Sequence, residues 1–196
     1  MSTRAPALAA AVLAAVAISS SGCTPSHSEE AGELRDDLSE LSGVADVDLD
    51  YVEPELLDQA DVNLEVVMTD AASPEEVAAV FETAYAGLTD AHEDEEGNLS
   101  VRFDDDELEL RTFESEADAS DVAEAALAGA EVAEQYRRAW VQVMTQEVAD
   151  HPHVESLALV QVPKGTKPIE VDEVRAAIAK VYGDLPVRVD VRVKGR

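Results

Sequence analysis

Asp46, Asp48 and Asp50 stand at alternate positions in VADVDLDYV, a spacing that could gather three carboxylates round a divalent cation. A calcium loop needs glycine at its sixth position for a sharp turn and glutamate at its twelfth as a bidentate ligand. Those positions hold Tyr51 and Leu57, so the loop is rejected. On an extended chain the three side chains point one way into solvent and offer weak cation contacts only. HEDEEGN (92–98) and DDDE (104–107) concentrate more acids on two turns, but with no spacing that builds a cage of six to eight oxygens. His151 and His153 are spaced to share a metal on an extended chain. A useful site needs a third and usually a fourth ligand. His27 and His92 are remote in sequence, and Pro152 makes the segment a helix stop.

Catalytic signatures are lacking. The sequence has no G-x-S-x-G elbow, no phosphate-cradling G-x-x-x-x-G-K-[ST] and no H-E-x-x-H. A carboxylate pair of the glycosidase kind could arise by folding, yet no pair is marked. Aromatic residues make up only 4% of the chain, poor material for stacking on sugars. Trp140, Tyr136 and Tyr85 fall on apolar helical stripes and are expected in the core. No catalytic, cofactor-binding or metal-binding residue is assigned, and no cofactor is expected.

The elements that would position these residues alternate between two periods. A short helix is expected over about 33–41, followed by strands in VADVDLDYV and DVNLEVVMT, whose apolar residues recur at period two. Ser73-Pro74-Glu75-Glu76 is a helix start: a capping hydroxyl, proline at the first helical position, and acids at the positive end of the dipole. Val77, Val80, Phe81, Ala84, Tyr85 and Leu88 follow at helical spacing. LSVRF and ELELRTF predict a hairpin. A long helix is expected over 120–148, although WVQVM would also suit a strand. VESLALVQV, a helix over 171–182 and PVRVDVRVK close the chain, the last with Val187, Val189, Val191 and Val193 on one face.

Short strands with one polar face predict an α+β fold, a two-layer sandwich of mixed or antiparallel sheet covered by helices. ELSGVADVDLDYV and ADHPHVESLALVQV echo one another, which suggests two similar half-units at 33–114 and 120–196 within the acidic domain 33–196.

The N-terminus carries an address. Arg4 precedes an apolar run from Ala7 to Ile18, and Ser19-Ser20-Ser21-Gly22 leads to Cys23, the only cysteine. Charge, short apolar core and small residues in that order make an export signal. Twelve helical residues rise only about 18 Å, short of a hydrocarbon core of about 30 Å, so a spanning helix is not expected. At Gly22-Cys23 the stretch resembles the lipobox of bacterial lipoproteins, with Ser20 where that family usually has leucine. The resemblance implies a signal peptide over 1–22, lipidation of the Cys23 sulfur, cleavage before it, and an acylated N-terminus. Residues 23–32 then form the anchor and a flexible tether. Two or more acyl chains hold a protein firmly on a membrane where one does not.

The chain has 43 acidic and 14 basic residues, a net charge of −29. Residues 1–22 contain Arg4 and no acid, so the exported part is one unit more negative. Such a surface repels phosphates, which excludes nucleic acid, and it repels anionic lipid head groups. With no second cysteine there is no disulfide, so stability outside the cytoplasm rests on the core. The expected protein is an exported, lipid-anchored envelope protein facing away from the cytoplasm. It is expected to be non-enzymatic, a binding or scaffolding module whose partners are the membrane, through Cys23, and an envelope protein. An envelope hydrolase with carboxylate chemistry and a weak divalent-cation binder are the alternatives.

Overall fold

A computed structural model describes residues 26–53, 59–92, 96–103, 106–112, 117–136, 138–148 and 151–194. Helix α1 (Ser28–Ser39) precedes strands β1 (Val44–Val52) and β2 (Asp61–Met68); α2 (Pro74–Ala91) follows, then β3 (Glu96–Phe103) and β4 (Asp106–Thr112). After these come α3 (Ala119–Gln135), β5 (Ala139–Val148), β6 (His151–Val162), α4 (Pro168–Tyr182) and β7 (Val187–Val193). The strands form one seven-stranded sheet in sequence order. Pairings alternate: β1–β2, β3–β4 and β5–β6 are antiparallel, whereas β2–β3, β4–β5 and β6–β7 are parallel and bridged by α2, α3 and α4. The α+β class and the mixed sheet are as the alternating patterns predict. The recurring unit is two strands and a helix, and β4 pairs directly with β5, so one sheet runs through both expected half-units.

Period two sorts each strand into an inner and an outer row. One inner row runs Leu49, Leu64, Leu99, Leu110 and Val143 to Ser156 across paired positions. The helices pack α1 on α2, α2 on α3 and α3 on α4 over this face, and the core lies between the two layers. Burying a valine or leucine side chain is worth about 1.5–3 kcal/mol, so rows of this length supply most of the driving force. Gly129 lets α3 close on the sheet, since a Cβ there would come within 2.9 Å of Val141 Cγ1. No helix among the described residues is long and apolar enough to cross a membrane.

Three departures from the sequence expectation have physical causes. The helix expected over 120–148 stops at Gln135. Tyr136 is extended, Arg138 adopts a positive φ of 63°, and WVQVM belongs to β5 with Val141 and Val143 inward. Beyond this bend Ala139 and Val143 keep to the helical stripe and also lie in the inward row of β5, so periodicity alone runs through it. Helix α1 begins at Ser28, inside the stretch read as tether, because Ala31 and Leu34 are buried against the body. In β7 only Val191 of the four inward valines is buried; Val187, Val189 and Val193 are half-exposed at the sheet edge.

Candidate functional site

The outer face of the sheet has no layer over it among the described residues, and the register maps its chemistry. One outer row reads Asp48, Glu65, Ser100, Glu109, Gln142, Leu157, Arg188 from β1 to β7. The next reads Asp46, Val67, Arg102, Glu107, Trp140, Leu159, Asp190. The face therefore grades from acidic over β1–β4 to an apolar island of Trp140, Met144, Leu157 and Leu159 on β5–β6. A shallow depression of about 410 Å³ lies over β1–β4, with Asp48, Asp50, Glu65, Glu96, Glu109 and Arg111 in its lining.

Several of these side chains are held in place. Glu109 accepts from Trp140 Nε1 and from Gln142 Nε2, both at 3.0 Å. Ser100 Oγ donates to Glu107 Oε1 at 2.9 Å, Asn98 Nδ2 donates to Asn63 Oδ1 at 3.2 Å, and Arg102 pairs with Glu65. Cross-strand pairs of this kind each contribute a few tenths of a kcal/mol to about 1 kcal/mol. Their larger effect is to fix a flat, polar surface in one arrangement.

Asp46, Asp48 and Asp50 are exposed side by side on β1, as alternation predicts. Among the described residues no group of three or more His, Cys, Asp or Glu could hold a metal ion. The two acidic turns do not converge, because β3 separates them: Glu96 begins that strand and Asp106 follows its end. Eight residues of strand span roughly 25 Å. Residues 93–95 and 104–105 lie outside the described residues, as does Cys23.

The structure also brings together residues that spacing keeps apart. The His27 and His92 rings lie edge to face with centroids 5.9 Å apart, and Tyr51 is 6.3 Å from His92. The backbone N–H of His27 donates to Tyr51 Oη at 3.0 Å, and Ser26 Oγ donates to Glu53 Oε1 at 3.0 Å. The chain is thus docked on the body from Ser26 onward. His153 is in β6, remote in the sheet from this cluster.

Two further residues escape the sequence reading. Trp140, expected in the core, stands half-buried on the outer face, because β5 alternation turns Val141 and Val143 inward instead. Asp106, expected in a solvated turn, is buried and its Oδ1 accepts from the Ala139 N–H at 2.8 Å. No protein-family model matches this chain, and no curated protein does.

Proposed function

We propose that this chain is a lipid-anchored envelope protein without catalytic activity, and that the outer face of its sheet is a platform for a protein partner. One observation carries the reading: among the described residues the seven-stranded sheet is covered by helices on one side only, which leaves an apolar island that includes Trp140 beside a fixed polar field. Apolar surface rimmed by polar residues marks interaction sites, and aromatic residues are enriched there.

The anchor places the platform. Cys23 is three Cα steps, at most about 11 Å, from Ser26, whose side chain bonds Glu53. Acylation at Cys23 would hold the Tyr51–His92 end of the domain close to the lipid surface, while net negative charge keeps the rest off it.

A photo-crosslinking amino acid at Gln142, on the platform, and at Glu82, on the exposed side of α2, tests this in intact envelopes. A discrete adduct from position 142 but not from 82 is expected. Equal labelling, or none from 142, overturns the platform. The anchor is tested separately: Cys23→Ser is expected to release the protein from membranes or leave an uncleaved precursor, and membrane fractionation at the mature mass would refute it.

A further inference from the structure

We propose that β7 is a self-pairing edge, joining the β7 of a second copy antiparallel to make a two-fold dimer with a continuous sheet. The proposal does not depend on the anchor or the platform.

The free edge of β7 can be read from its bonds to β6. Pro186 C=O accepts from the Ser156 N–H at 3.0 Å, and the Lys194 N–H donates to Val162 C=O at 2.9 Å. Along a strand the N–H and C=O of alternate residues point to opposite sides. Even-numbered residues therefore face β6, and the N–H and C=O groups of Val187, Val189, Val191 and Val193 point out of the sheet. An unpaired row of this kind is a template for another strand. In each earlier unit the strand following a helix is paired antiparallel on its far side: β3 with β4, and β5 with β6. β7 follows α4, and among the described residues its neighbour is β6 alone.

Charge selects the occupant. Centred on Val189, an antiparallel pair sets Val187 opposite Val191 of the second copy and Val189 opposite itself, all in hydrogen-bonded positions. Arg188 then meets the second copy's Asp190, and Asp190 its Arg188. These are the non-hydrogen-bonded positions, where side chains approach most closely. Arg188 has no ion-pair partner among the described residues, whereas Arg192 Nε already bonds Asp190 Oδ2 at 2.9 Å. A register centred on Val191 would instead set Arg188 against Lys194. The other edge cannot do the same: on β1, self-pairing sets Asp46, Asp48 and Asp50 against one another. Repulsion between two copies, each with net charge −29, is also least here. From Lys164 onward eight basic residues face five acids.

Strand pairing alone buries too little for a stable dimer. The two-fold axis normal to the sheet supplies more, because it sets α4 beside its symmetry mate over the joint. A cleft of about 570 Å³ between α4 and β7, lined by Val171, Val191 and Val193, opens there, and Ile169 on α4 is 63% exposed. The half-exposed valines of β7 would be covered from both sides.

The full-length chain in density-matched detergent should sediment as a dimer that dissociates on dilution. Arg188→Asp alone and Asp190→Arg alone each put like charges opposite one another and should weaken self-association by about tenfold or more. Mixed in equal amounts, the two variants should pair with each other, since both cross-strand contacts become complementary. Amide exchange on the wild type gives a readout independent of any variant: the Val187, Val189 and Val191 N–H groups should be protected in proportion to dimer. A wild-type monomer at all concentrations, a mixture that stays monomeric, or fast exchange at these valines would overturn the proposal. So would protection that appears only when a different protein is added, which would make the occupant a foreign strand.

Discussion

The indole Nε1 of Trp140 on β5 donates to the Glu109 carboxylate on β4 at 3.0 Å, across a parallel strand pair. Gln142 Nε2 occupies the other oxygen at the same distance, so one carboxylate ties two side chains of the neighbouring strand. Trp140 is the only tryptophan, which makes its fluorescence a direct report on this clamp. Glu109→Ala should shift the emission to longer wavelength as water replaces the carboxylate, and cost about 0.5–1.5 kcal/mol in denaturant unfolding. The figure is small because the contact is part-exposed. An unchanged spectrum would show that the indole is not held.

Asp106 should matter more, because it is buried. Its Oδ1 accepts from the Ala139 N–H at 2.8 Å and so fastens the first residue of β5 to the first of β4. Asp106→Ala leaves that amide buried without its acceptor, at a cost of about 1–3 kcal/mol. Asp106→Asn keeps an oxygen and should recover most of the loss. Urea unfolding of both variants checks the order; equal losses would mean that charge, not the bond, is what counts.

The contrast between these two acids shows what the sequence can and cannot convey. Alternation marked Val62, Leu64, Val66 and Met68 as one inward row of β2, and all four are buried, since an inward row needs only period two. Nothing local distinguishes Asp106 from its neighbours in DDDE, as its partner lies 33 positions away. Trp140 escapes for a different reason: Ala139 and Val143 fit both the helical stripe and the inward strand row, and only the bend at Tyr136 and Arg138 decides between them. The platform itself is a property of which sheet face the helices leave open. Asp46, Asp48 and Asp50 were legible as outward strand positions, but their place on one surface with Glu109 and Trp140 required the strand order.

The start of α2 was legible from Ser73, Pro74 and the two acids that follow, and the bonds of Glu76 add a pH-dependent prediction. Ser73 Oγ accepts from the Glu76 N–H, and Glu76 Oε2 accepts from the Ser73 N–H at 2.9 Å. Ser42 Oγ donates to Glu76 Oε1 at 2.6 Å, which ties the turn at Gly43 (φ +80°) to the helix. The Ser42 hydroxyl first, and then the Ser73 N–H, hold the Glu76 carboxyl below its ordinary value of 4.5. A lowered folded-state pKa stabilises the fold above the unfolded value and loses that contribution as pH falls through the folded one. Glu76→Gln should therefore flatten part of the fall in melting temperature below about pH 4.5. Ser73→Ala, which removes the cap at all pH values, should cost about 0.5–2 kcal/mol. An acid limb unaltered by Glu76→Gln would dismiss the linkage.

Tyr182 governs the alkaline side. Its side chain, at the end of α4, is 2% exposed, and its hydroxyl lies against α3, 3.4 Å from where a Cβ on Gly129 would be. Burial drives its pKa above the ordinary 10.0; the neighbouring Ser156 hydroxyl offsets this only in part, and the two oxygens lack hydrogen-bond geometry. The folded state therefore keeps the phenol proton that the unfolded chain gives up near pH 10. A raised folded-state pKa means full stability below the unfolded value and progressive loss as pH climbs above it. Unfolding midpoints should accordingly drop from about pH 10 upward, and Tyr182→Phe should remove much of that drop. At neutral pH the same substitution deletes a buried hydroxyl with no hydrogen-bond partner among the described residues, so stability should hold or rise slightly. Absorbance titration of the phenolates adds a second readout: one tyrosine should ionise only as the protein unfolds, and its absence in Tyr182→Phe would identify it. If Tyr182→Phe instead lowers stability at neutral pH by more than about 1 kcal/mol, the hydroxyl has a buried partner, most simply a water shared with Ser156 and Thr145, whose hydroxyl is also buried.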